Sequence, residues 1–189
     1  MPTGHDTRQF EWIVDSSNAI VSVNDNWLSF AEENDPHFAD PLVVQGCPLN
    51  EFITDAETRH LYDCLMQRVR TDGKPVTVPY RCDSPDCRRF MEVDLSPAED
   101  GGVRFLSRIV RLEPRPTVAL MTPTVQHSND LLSMCSWCKK VKLPANGYTE
   151  VEDAVDKLSL FASEVLPHLT HGCCPQCYAA MMEQIDREN

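Results

Sequence analysis

Hydrophobic positions in the first 112 residues fall into short runs divided by polar turns. The runs "EWIVD", "AIVSV", "VTVPYRC", "RRFMEVDLS" and "VRFLSRIVRL" have strand length and strand composition, and "AEDGG" between the last two predicts a hairpin turn. Between the second and third runs the period changes to that of a helix. "NDNWLSFAEEN" places Trp27, Leu28, Phe30 and Ala31 on one face behind Asn and Asp caps. "TDAETRHLYDCLMQRVRTDGKP" spaces Leu61, Cys64, Leu65 and Val69 helically, with Thr54 or Asp55 as cap and Gly73 and Pro75 as the stop. The predicted order is strand, strand, helices, strand, strand, strand.

Beyond Leu112 this pattern breaks. "EPRPTVALMTPTVQHSND" carries three prolines and no sustained period, so it reads as a linker or a draped segment. Further on, Thr149 and Glu152 make a T-x-x-E capping box. Val151, Ala154, Val155, Leu158, Phe161 and Val165 then predict an amphipathic helix that Pro167 ends. Pro175 marks the start of a last helix with Tyr178, Met181, Met182 and Ile185 on its buried side. The expected organisation is a first domain over 1–112, a linker over 113–130 and a Cys-rich unit over 131–189. No internal repeat or low-complexity tract interrupts it.

Bulk properties narrow the function classes. The 189 residues are 42% hydrophobic, enough for a real core, and the net charge of −12 repels nucleic-acid phosphates and anionic membrane surfaces. Neither nucleic acid nor membrane is therefore an expected partner. No apolar run reaches the roughly 18 residues of a membrane span. "MPTGHDTRQFEWIV" lacks the basic and apolar pattern of a signal peptide, so a cytoplasmic location is expected.

Nine cysteines stand out in a chain of this kind. In a reducing compartment they read as metal ligands or reactive thiols before disulfides, and their odd number opposes a closed disulfide framework. Cys135/Cys138 and Cys174/Cys177 form two C-x-x-C pairs; Cys47, Cys64, Cys82, Cys87 and Cys173 lie outside them. A C-x-x-C turn brings two sulfurs to one side of a loop, and two such turns complete a tetrahedral site for zinc, with iron compatible with the same spacing. The long intervening loop is no objection. Each doubling of a loop costs about 0.6 kcal/mol, against roughly 10–16 kcal/mol apparent for structural zinc. Lys139, Lys140 and Lys142 would offset the −2 charge of a Zn(Cys)₄ centre. A redox dithiol and a set of small buried side chains are the other readings of these cysteines.

His171, three residues before Cys174, could replace a cysteine or donate to a thiolate; as a surface residue it would do neither. Cys173 reads as a spare thiol or a small buried hydrophobe. Cys82 and Cys87, at the ends of "CDSPDC", read as two reduced thiols beside a turn, or as a second metal site or regulatory disulfide. His60 and Cys64 share a helix face.

Taken together, "VSVNDNWLSFAEEN", "GCPLNEFI" and the three closing strands resemble a PAS domain over residues 10–112. Asn24, Trp27 and Phe30 match the family's first helix, and Gly46, Leu49, Phe52 and Ile53 its later G-x-x-L-x-x-F-I element. "YRCDSPDCRRFMEVDL" followed by "CSWCKKV" and "THGCCPQC" is also similar to bacterial PAS signalling proteins with a cysteine-rich tail, from whose usual apolar residue Cys173 departs. The resemblance implies an α+β fold with a five-stranded antiparallel sheet and helices on one face. To this is joined a small, mainly helical C-terminal unit stapled by a metal on Cys135, Cys138, Cys174 and Cys177. It further implies a small ligand or cofactor of unknown identity between sheet and helices, a signalling protein as partner, and dimerisation. Some PAS proteins hold haem through a histidine on the long helix, where His60 stands.

No phosphate-binding glycine loop, kinase segment, helix-turn-helix or catalytic triad motif is legible, so no enzyme is expected. Two functions follow: a signalling sensor or adaptor with a structural zinc site, presenting Trp137 and nearby lysines for contact, or a thiol/metal redox sensor working through the C-x-x-C pairs.

Overall fold

The computed structural model describes residues 7–34, 36–122, 125–145, 147–160 and 165–187. Five strands, β1 (Gln9–Val14), β2 (Ile20–Val23), β3 (Val76–Arg81), β4 (Cys87–Pro97) and β5 (Val103–Pro114), form an antiparallel sheet in the order β2-β1-β5-β4-β3. These are the five runs expected from the sequence. Alternation along them sends Val14, Val78, Val93, Leu95, Val103 and Phe105 to one face, where all are buried. The opposite face carries charged cross-strand pairs, Arg104 with Glu11 and Arg108 with Glu92 and Asp94.

Helices α1 (Asp25–Asn34), α2 (Pro41–Val44) and α3 (Ala56–Asp72) fill the β2–β3 connection. Leu61, Leu65, Met66 and Val69 of α3 are fully buried against the sheet. Its ends are set by local chemistry. Asp55 accepts the Thr58 N–H at 2.7 Å as N-cap, and Gly73 adopts a left-handed φ of 65° at the C-cap, where a Cβ would be strained. At the β4–β5 hairpin, a Cβ on Gly102 would come within 2.7 Å of the Val14 carbonyl, so only glycine fits there.

Asn24 explains why an asparagine precedes α1. Its Oδ1 accepts from Trp27 N at 2.9 Å and Glu11 N at 3.2 Å, while its Nδ2 donates to the Gln9 carbonyl at 2.9 Å. One side chain thus caps the helix and ties it to β1. Asn24→Ala is expected to cost about 1–2 kcal/mol in urea unfolding, more than an ordinary exposed cap, because the β1 contacts go with it.

The C-terminal part departs from the expectation of a mainly helical unit. Strands β6 (His127–Cys135), β7 (Val141–Lys142), β8 (Tyr148–Thr149) and β9 (Leu166–Gly172) make a second sheet in the order β8-β7-β6-β9, flanked by α4 (Val151–Lys157) and α5 (Pro175–Arg187). The amphipathic helix expected to run from Val151 to Pro167 stops at Lys157. Leu158 is its C-cap, Phe161 lies outside the described residues, and Pro167 sits inside β9. A proline is tolerated there because β9 is an edge strand with no ladder to fill on its outer side.

The T-x-x-E box also fails to close. Thr149 donates to Asp153 at 3.0 Å, and Glu152 is drawn instead to Arg88 and Arg115 at 2.9 and 3.1 Å. A guanidinium pair outbids the weaker back-bond to a backbone amide. Of the segment read as linker, Val118 and Leu120 are buried in a second apolar cluster with Val141, Val151, Ala154 and Leu166, and residues from His127 onward belong to β6. No helix among the described residues is long and apolar enough to cross a membrane.

Candidate metal centre

The two C-x-x-C pairs meet because their strands are neighbours. β6 and β9 pair in parallel, with Cys135 opposite Gly172, so both chains leave the sheet at the same end and turn there. After β6, Lys139 N donates to the Cys135 carbonyl at 3.0 Å and Cys135 N to the Lys140 carbonyl at 2.8 Å, closing a tight knuckle with Lys139 at φ 58°. Ser136 N donates to the Gly172 carbonyl at 2.7 Å and locks this knuckle to the other. The second knuckle runs into α5. Tyr178 N bonds the Cys174 carbonyl, so Cys174 stands at the N-cap and Cys177 in the first turn.

Cys135, Cys138, Cys174 and Cys177 place their sulfurs within 4.8 Å of one another. The Cys138 and Cys174 sulfurs are 3.9 Å apart. A tetrahedral S₄ site with bonds of about 2.3 Å needs sulfurs roughly 3.8 Å apart, so the donor set fits a metal, whereas a disulfide needs about 2.05 Å. All nine cysteines are free thiols. Two backbone amides point at the sulfurs: Cys174 N to Cys135 Sγ and Cys177 N to Cys174 Sγ, both 3.3 Å. The amide aimed at Cys135 favours its thiolate over its thiol.

Cys135, Cys138 and Cys177 influence one another's titration. Thiol hydrogen bonds from Cys138 and then Cys177 hold Cys135 well below the ordinary thiol range. The Cys138 thiol is pushed up to about 11, chiefly by that bond to Cys135, and Cys177 is raised for the same first reason. Cys135 therefore carries charge the most readily of these three, and Cys138 and Cys177 hold their protons more tightly. Burial pushes the neighbouring Cys173 thiol up to about 12. It is half-buried and stands outside the group of four.

Other sequence candidates fall elsewhere. His171 lies on β9 opposite Met134, outside the sulfur cluster, and burial followed by the charge of Lys139 lowers its pKa. Cys82 and Cys87 flank a turn closed by Ser84 N to the Cys87 carbonyl at 2.9 Å. His60 is exposed and stacks on Tyr178 of α5 at 6.3 Å. Trp137, expected to be presented at the surface, is only 5% exposed. Its ring stacks on Tyr62 of α3 at 5.5 Å, and its carbonyl accepts Arg81 N at 2.8 Å. That bond occupies the open edge of β3, and the indole is worth more to the core than to solvent.

A charged seam that the sequence did not reveal joins the two parts. Arg81 grips both Glu150 oxygens at 3.0 and 2.8 Å and Asp83 at 3.1 and 2.5 Å, and Arg115 reaches Asp83 at 3.4 Å. Asp55, the α3 cap, also accepts from Ser136 Oγ at 3.0 Å. Nothing local in the sequence signals pairs 69 and 81 residues apart.

The acid sensitivity of this seam has a definite sign. Burial raises the Glu152 pKa, but its own backbone N–H and the Arg88 and Arg115 guanidiniums outweigh that and leave it below 4.5. Its contribution is thus present above the unfolded value and lost as pH falls through the lower folded value. Melting curves from pH 7 downward should show an acid limb that Glu152→Gln flattens below about pH 4.5.

The first part of the chain is an α+β unit, five antiparallel strands with helices on one face, followed by a four-cysteine cluster near the C-terminus. Among solved structures, the chain is similar to a domain of an HTR-like protein from Haloarcula marismortui, with 15% identity and a TM-score of 0.42 over 55% of this chain and 98% of that one. It is similar to a sensory box sensor histidine kinase from Vibrio cholerae, with 17% identity and a TM-score of 0.41 over 56% and 84%. It also resembles the PAS domain of BvgS from Bordetella pertussis, with 16% identity and a TM-score of 0.38 over 55% and 74%. No family model matches the chain, and no curated protein does.

Proposed function

We propose that this chain is a cytoplasmic bacterial signalling sensor or adaptor, in which a PAS-like domain is stapled at its C-terminal side by a structural zinc ion on Cys135, Cys138, Cys174 and Cys177. The observation that carries the reading is the convergence of four sulfurs within 4.8 Å on two knuckles packed against the sensor's long helix. When bound, zinc would supply a fixed crosslink and no reactivity, because four protein ligands leave no open position. Nine free thiols suit a reducing compartment. Output passes by contact with a signalling protein or a second copy of the chain. Elemental analysis of protein purified without added metal should find one zinc per chain, and chelation should lower its melting temperature. Metal-free protein whose melting ignores chelators would sink the zinc half.

A second reading has one specific observation behind it. Cys138 and Cys177 line a groove of about 280 Å³ with Trp137 and Met181, so an oxidant can reach two of the four sulfurs. Peroxide would then take two electrons from this thiolate pair, forming a disulfide and water and releasing the metal. Thiol counting after peroxide treatment separates the readings: unchanged thiols and retained metal leave the structural role alone.

A further inference from the structure

The seam between the sensor and the knuckles forms a half-open cavity of about 400 Å³ that the metal centre does not use. Asp55, Thr58 and Tyr62 line it from α3, and Ser136, Lys139 and His171 from the knuckle side. Phe52 and Ile53 give it an apolar wall. Its size is that of a small-molecule site, and its residues converge from segments far apart in sequence.

The polar groups here are mostly donors without acceptors. Thr58 is only 4% exposed, and its Oγ1 has no hydrogen-bond partner. Burying a hydroxyl unpaired costs about 1–3 kcal/mol, which a ligand oxygen would recover. Lys139 joins none of the ion pairs among the described residues, and the Tyr62 phenol and the His171 ring make no hydrogen bond among them. Burial pushes the Tyr62 phenol up to about 12, so it keeps its proton near neutral pH. The Asp55 carboxylate, by contrast, is spent: one oxygen accepts Thr58 N at 2.7 Å and the other Ser136 Oγ at 3.0 Å. Arg81 also reaches the cavity but is held by Asp83 and Glu150.

Unmatched donors call for an acceptor-rich anion. A single uncommitted cation suits one negative charge better than two, and the apolar wall suits an organic body. We propose that this cavity binds a small organic monocarboxylate, its carboxylate meeting Lys139 and Thr58 and its body resting on Phe52 and Ile53. The site is complete only when the knuckles are docked on α3, so ligand and metal both hold the same seam closed. This deepens the sensing reading above and rests on it.

Calorimetric titration of the full chain, with its metal content measured first, tests the assignment. The probes are lactate, pyruvate, 2-oxobutyrate and phenylacetate, with inorganic phosphate as the dianionic comparison. At least one acid should bind with Kd below about 1 mM, and phosphate at least about tenfold more weakly. Lys139→Gln should weaken binding by about tenfold or more, since a charge-assisted bond is lost. Thr58→Val should weaken it several-fold while leaving the melting temperature unchanged or raised, because the variant removes an unpaired buried hydroxyl. No binding of any acid up to about 10 mM, affinity untouched by both substitutions, or tighter binding of phosphate would each overturn the proposal. The two readings fail separately: a metal-free chain that binds the acids loses the zinc staple alone, and a metal-loaded chain that ignores them loses the carboxylate site alone.

Discussion

Cys174→Ser is expected to abolish stoichiometric metal binding and to cost more than about 4 kcal/mol of stability, the largest effect of any single change considered. Cys174 is 2% exposed and contributes three things at once: a sulfur to the cluster, the acceptor for Cys177 N, and the N-cap of α5. Serine keeps the cap but is a poor ligand for a soft site. Because Cys135, Trp137, Cys174 and Met181 share one apolar cluster with Leu61, Leu65 and Phe105, the damage should not stay local. Trp137 should lose its stacking on Tyr62, so tryptophan emission should shift to the red together with loss of metal. Emission and melting unchanged by Cys174→Ser would contradict the staple.

Arg81→Leu should cost about 3–5 kcal/mol, measured by urea unfolding, although the ion pairs of Arg81 are with Asp83 and Glu150 and not with a cysteine of the cluster. Its guanidinium is the partner of Asp83, whose side chain is 0% exposed, and of Glu150, whose side chain is 30% exposed. Removing the cation leaves a buried carboxylate with the longer contacts to Arg115 and the Arg89 backbone N–H, both at 3.4 Å. Burial lowers the Arg81 pKa, but its bonds to Asp83 and Glu150 raise it more, so the group stays charged. Glu150→Gln should cost much less, because that carboxylate is partly solvated and keeps a hydrogen bond as an amide. Equal losses in the two variants would show that the seam is not organised around the Arg81–Asp83 pair.

Much of the first domain was legible because its signals are local. Alternating apolar runs, the Asn24 and Asp55 caps and the Gly73 stop each act within a few residues, and all five strands and the long helix lie where those signals put them. The second part was harder for a physical reason. Val151 to Val155 repeats with helical spacing, yet Leu166–Gly172 became a strand because β6 offered it a parallel partner. Parallel pairing of residues 37 or more apart, as in Cys135 with Gly172, leaves no turn signature, and Pro167 is a helix breaker that an edge strand accepts equally well.

The candidate site divides the same way. Two C-x-x-C spacings suffice to nominate four sulfurs, since ligand geometry within each pair is a property of a short turn. Which surface the cluster would face was not readable: Trp137 looks like a contact residue in the sequence and is buried in the structure. By itself, then, the chain's sequence determined the five strands of the first sheet, the ends of α3 and the nomination of four sulfurs, all set by short-range sterics and hydrogen bonding. Only the tertiary structure decided that the knuckles close onto α3, that Asp55 and Arg81 clamp them there, and that a donor-lined cavity remains between, because those outcomes depend on which distant surfaces exclude water together.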